Sequence, residues 1–133
     1  MNKEVRWKQR FQNLKKSYEF LKEGLSLSSP DRFQEAGIIQ SFEFTFELSW
    51  KTLKDFLEGK GSSISFARDV IKEAFAARLI KDGHLWIEML EQRNALSHTY
   101  DRKQANDALN LIKSRYFPAI QQVYQELEKR CLD

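Results

Sequence analysis

Trp7, Phe11, Leu14, Tyr18, Leu21 and Leu25 recur at intervals of 4, 3, 4, 3 and 4 residues. That spacing gathers six large apolar side chains on one stripe of an α-helix and would scatter them over both faces of a strand. The chain is therefore committed to a long first helix whose stripe needs a covering partner. Gly24 stands near its end, and Ser26 to Ser29 form a polar break.

The rest of the chain offers matching stripes. Ser29-Pro30-Asp31 reads as a helix start, with Ser29 as N-cap, Pro30 in the first turn and Asp31 facing the positive helix end. The second helix is expected to reach about Glu58, with Ile39, Phe42, Phe46, Trp50, Leu53 and Phe56/Leu57 as its main stripe. Phe44 and Leu48 fall on a second face, which we assign to a dimer interface. Gly59-Lys60-Gly61-Ser62-Ser63 ends this helix. A shorter helix is expected over Ser65 to Leu79, with Val70, Ile71, Ala74 and Phe75 inward, and a fourth from His84 to Leu96. Asp101 and Gln104 have the spacing of a capping box that opens the last helix. Pro118 lies inside that helix and should kink it.

With no strand-like alternation and only 5 Gly and 2 Pro, the expectation is an all-α fold: an antiparallel up-and-down bundle of four main helices plus a shorter one, spanning residues 1–133 as one domain. Ten Phe, three Trp and four Tyr supply the core. No apolar run approaches the roughly 20 residues of a membrane span. Cys131 is the sole cysteine, which excludes an internal disulfide framework, and a cytoplasmic location is expected. The net charge of +3 is too small to imply nucleic-acid binding by itself. Residues 1–25 carry seven basic against three acidic side chains, whereas residues 26–58 carry three against six.

Chemistry concentrates in Arg93-Asn94-Ala95-Leu96-Ser97-His98-Thr99-Tyr100. Arginine neutralises phosphate at any physiological pH, and histidine moves a proton near neutrality. On one straight helix Arg93 and His98 would diverge by about 140°. They converge on one phosphate only where the helix unwinds, near His98 if Asp101 caps the next helix, or where two copies of the chain meet. A purely structural reading stays open beside this one. In it, Arg93 pairs with Glu88, Glu91 or a distant carboxylate, His98 caps the helix end and Tyr100 packs. Elsewhere the signals are weaker. No His-x-x-x-His or Cys-x-x-Cys spacing indicates a metal site, and no cofactor motif is present. Gly61-Ser62 lacks the Asp-x-Asp pair that a nucleotidyltransferase needs for metal, so the chain is not itself such an enzyme. Glu43/Glu47 and Glu88/Glu91 have acid–base spacing but read as solvated helix faces.

Residues 39–57, Arg68 to Phe75, Trp86 to Leu90 and Arg93 to Asp101 resemble, in that order, the nucleotidyltransferase substrate-binding family of the HEPN superfamily. The resemblance implies a homodimer, encoded beside a minimal nucleotidyltransferase in pairs that resemble HepT–MntA toxin–antitoxin systems. It also implies metal-independent RNA cleavage, with Arg93 and His98 catalytic and Asn94 and Ser97 orienting phosphate or imidazole. Tyr100 would be the residue to which the partner attaches AMP, silencing the site. The alternative that the resemblance keeps open is a non-catalytic substrate-binding subunit of a two-chain nucleotidyltransferase. The family often has Ser-Pro-Arg at the start of the third helix; Ser65-Phe66-Ala67-Arg68 stands there instead.

Overall fold

The computed structural model describes residues 2–98 and 101–132, with Ser97 described by its backbone alone. Among them there is no strand. Four helices, α1 (Lys3–Leu25), α2 (Arg32–Gly59), α3 (Ala67–Ala76) and α4 (Gly83–Ser97), precede a last continuous rod. That rod consists of α5 (Arg102–Leu111), a π-turn (Ile112–Tyr116) and α6 (Phe117–Leu132).

All six residues of the first stripe are buried. They pack on α2 in antiparallel register: Trp7 meets Phe56, Arg10 meets Asp55 and Ser17 meets Thr45. At the far end, a Cβ at Gly24 would lie 2.9 Å from Ile38, so the glycine lets the two helices close beside their connecting turn. The face of α2 that meets α1 is not purely apolar. Ser41, Thr45, Ser49 and Thr52 are buried there. Thr45, Ser49 and Thr52 each donate to the carbonyl four residues earlier, at 2.6–2.7 Å. Their small volume allows close approach, and these internal bonds satisfy most of the hydroxyls.

The last rod also runs antiparallel to α1, with Phe11 stacked on Tyr124 and Tyr18 on Phe117. Its contacts with α2 run the same way as the chain: Arg102 on Glu35, Tyr116 on Phe42 and Arg130 over Phe56. Pro118 does not end the rod. The turn before it widens, and Phe117 N–H reaches back to the Ile112 carbonyl, five residues away. Proline's missing donor and its ring are absorbed by this wider turn rather than by a break.

Three boundaries differ from expectation. Asp31, not Ser29, caps α2, because its carboxylate accepts from Gln34 N–H while the Gln34 side chain accepts from Asp31 N–H. The third helix is shorter than Ser65 to Leu79. Its N-cap position is Phe66, which makes no side-chain cap. Arg78 then takes φ 65°, turning the chain so that Leu79 and Ile80 enter the core. Phe75, expected inward, is 51% exposed. On α2, Phe44 is 60% and Phe33 is 90% exposed. The two lie eleven residues apart and so share one outer face. Leu48, on the same side, is partly buried against the core.

Candidate active site

The helix that carries the proposed site is fixed at its start and along its middle. Asp82 caps its start, accepting from Leu85 N–H at 3.1 Å. Trp86 and Met89 are fully buried, with Trp86 stacked on Phe46. Glu88 is tied to the last rod by Tyr116 at 2.7 Å and Arg115 at 3.1 Å. Burial and this hydrogen bond push the Tyr116 hydroxyl well above the ordinary tyrosine range. Glu88 is thus an interhelical tie rather than a solvated face.

The helical part of α4 ends at Ser97, and His98 occupies the C-cap at φ −103°, ψ 57°. The helix therefore unwinds at the residue where the spacing argument requires it. His98 N–H closes a tight last turn on the Ala95 carbonyl at 3.2 Å. The His98 side chain is exposed, over a shallow depression shared with Leu96, Gln104, Asp107 and Leu111. Asp101 begins the next helix as its N-cap, accepting from Gln104 N–H at 2.7 Å.

Arg93 looks toward α2. It is partly buried, forms an ion pair with Glu47, and stands with its guanidinium carbon 5.9 Å from the centre of the Phe46 ring. The other Glu47 oxygen accepts from Trp50 Nε1 at 3.0 Å, and Lys51 Nζ lies 4.0 Å away. Glu47 is thus held by three side chains and, like Glu88, is a part-exposed carboxylate engaged in tertiary contacts. Its i,i+3 spacing to Trp50 was visible in sequence, and its pairing with Arg93, 46 residues on, supplies the distant carboxylate that the structural reading allowed without naming it. Within one chain, Arg93 faces α2 while His98 stands over α5. Asn94 is exposed on the last turns of α4. The Ser97 side chain and Tyr100 lie outside the described residues. Among the described residues no group of three or more His, Cys, Asp or Glu is placed to hold a metal ion.

Residues 9–129 match the family described as nucleotidyltransferase substrate binding protein like. The chain belongs to that family. A curated relative, probable ribonuclease HepT from Haemophilus influenzae, is 37% identical over 75 residues. That alignment takes in 53% of this chain and 51% of the relative, so the chain spans about half the length of the curated protein it matches. Two solved structures share the fold. A Thermus thermophilus protein superposes with a TM-score of 0.72 and 28% identity, over 90% of this chain and 99% of that one. A Haemophilus influenzae protein superposes with a TM-score of 0.65 and 26% identity, over 96% and 99%. Its structure is described as the fold of a substrate binding domain of a nucleotidyltransferase. The helical bundle of this family member is therefore shared along nearly its whole length. No helix among the described residues is long and apolar enough to cross a membrane.

Proposed function

We propose that this family member is a metal-independent endoribonuclease toxin that works beside a minimal nucleotidyltransferase and acts as a homodimer. The observation that carries this reading is the end of α4. An exposed imidazole sits at the C-cap, and one turn earlier an arginine is oriented by an ion pair and an aromatic face. The likeness to a probable ribonuclease supports it.

In this mechanism His98 takes the proton from a ribose 2′-hydroxyl, whose oxygen attacks the adjacent phosphorus. The 5′ oxygen leaves and accepts a proton from an imidazolium. Arg93 stabilises the charge that builds on the phosphate oxygens. Its fork has five donors, so Glu47 can orient it while other nitrogens meet phosphate. Asn94 and Ser97 orient phosphate or imidazole. Because Arg93 and His98 face different elements of one chain, two copies complete the site. Phe44 and Leu48 form part of the dimer face, continued by exposed Phe33. Tyr100 is the control point: its oxygen attacks the α-phosphorus of ATP on the partner enzyme, pyrophosphate leaves, and the attached AMP blocks the site.

His98→Ala should slow cleavage of RNA by the purified protein about 100-fold or more while leaving the fold intact. Equal cleavage by this variant and the parent sinks the catalytic reading. Phe44→Glu should convert the dimer to monomer in sedimentation experiments, with little change in unfolding temperature. The second reading is a non-catalytic subunit that presents substrate to the transferase, and the family description and the Haemophilus structure favour it. It predicts that adding this chain raises the transferase's substrate affinity, whether or not His98 is present.

A further inference from the structure

A cleft opens between the α1–α2 turn and α5, on the side of α5 away from His98. Arg102, Asn106 and Asn110 line it from α5, Lys113 from the π-turn, Ser29 from the α1–α2 turn and Glu35 from α2. The His98 depression uses the other face of the same helix, at Gln104, Asp107 and Leu111. The chemistry of the cleft is unusual at Glu35. This residue is 2% exposed, and its Oε1 has no hydrogen-bond partner. Arg102 Nε lies 3.0 Å from that oxygen but without hydrogen-bond alignment, on a side chain that is itself 56% exposed. A buried carboxylate oxygen left in this way is costly, so it is primed for a donor that enters from the cleft.

The donors and acceptors around it define what fits. A carboxylate with one oxygen that lacks a hydrogen bond, in a cleft also lined by two asparagine amides, suits vicinal hydroxyls. Two exposed cations, Arg102 and Lys113, suit a phosphate. Leu25, Ile38 and Leu109 give the floor an apolar part. We propose that this cleft binds the ribose and phosphate of a ribonucleotide, with Glu35 accepting from the sugar hydroxyls and Lys113 and Arg102 pairing with the phosphate. The site goes beyond the cleavage reading and does not require it, because none of its residues belongs to the Arg93–Tyr100 segment. The same chemistry is offered by a free nucleotide or by one unit of an RNA strand.

The test is a titration of the full-length protein, followed by amide NMR, with adenosine monophosphate, its 2′-deoxy counterpart, inorganic phosphate and a short single-stranded oligoribonucleotide. The expected result is saturable shifts at Glu35, Arg102, Asn106 and Lys113. Adenosine monophosphate should bind about tenfold more tightly than the deoxy form. Glu35→Gln should abolish that preference, and Lys113→Ala, on an exposed position, should weaken both ligands. His98→Ala should leave the mononucleotide shifts at these four residues unchanged, which separates failure here from failure of the ribonuclease reading. Tighter binding of the oligoribonucleotide than of the mononucleotide identifies a strand as the source; equal or weaker binding identifies a free nucleotide. The proposal is overturned if the ribo and deoxy forms bind alike, if phosphate alone reproduces the shifts, or if adenosine monophosphate shifts only residues at the end of α4.

Discussion

Asp55 and Glu35 sit about 30 Å apart near opposite ends of α2, and each is 2% exposed. Their environments differ. Asp55 receives an aligned 2.6 Å hydrogen bond from Arg10 Nε, in a seam sealed by Trp7 against Phe56. Glu35 has an arginine at a similar distance that forms no hydrogen bond to it, and a cleft opens beside it. One buried carboxylate is a finished structural joint, and the other is an unfinished one. The difference separates the end of the bundle that holds the fold together from the end that has chemistry left to do.

The contrast is sharpest in stability. Arg10→Ala should strand the Asp55 carboxylate and lower unfolding free energy by about 2–4 kcal/mol, discounted for the partial exposure of Arg10. Urea denaturation measures this. Next in size, raising the pH should erode the closed half of the bundle. The Tyr124 hydroxyl is pushed up to about 12, first by burial and then by the Glu128 carboxylate. Its neutral form is favoured in the fold, so this contribution is full below about pH 10 and is lost as pH rises through about 12, for a loss on the order of 1–3 kcal/mol. Tyr124→Phe should flatten that part of the pH profile. Arg102→Ala should have the smallest effect, under about 1 kcal/mol, because Arg102 is more than half exposed and solvent screens its ion pair with Glu35. A loss equal to that of Arg10→Ala would erase the distinction between the two ends.

Much of the bundle could be read from spacing. The stripe from Trp7 to Leu25 needed only helical periodicity, and every member is buried. The unwinding at His98 followed from Asp101 as the next cap, a local relation that short-range chemistry decides. What spacing concealed was non-local or polar. Ser41, Thr45, Ser49 and Thr52 look like surface positions, yet they are buried because their small size lets α1 close in, and the hydroxyls of Thr45, Ser49 and Thr52 bond within the helix. Glu47 and Glu88 read as solvent-facing until tertiary packing delivered Arg93 and Tyr116 to them. Ser29 lost the cap of α2 to Asp31 because only the latter had Gln34 three residues on to reciprocate. The isolation of Glu35 could not be foreseen, since it depends on the angle at which Arg102 arrives.

The π-turn at Ile112–Tyr116 has a consequence for kinship. A turn of that width holds one residue more than an ordinary helical turn while the rod on either side keeps its course. A last helix can absorb a one-residue insertion in just this way. Relatives whose corresponding helix is wound evenly should align with this chain across a single-residue gap at that point. Arg102 to Lys113, the wall shared by the cleft and the His98 depression, would then be offset by one position from the helix that follows.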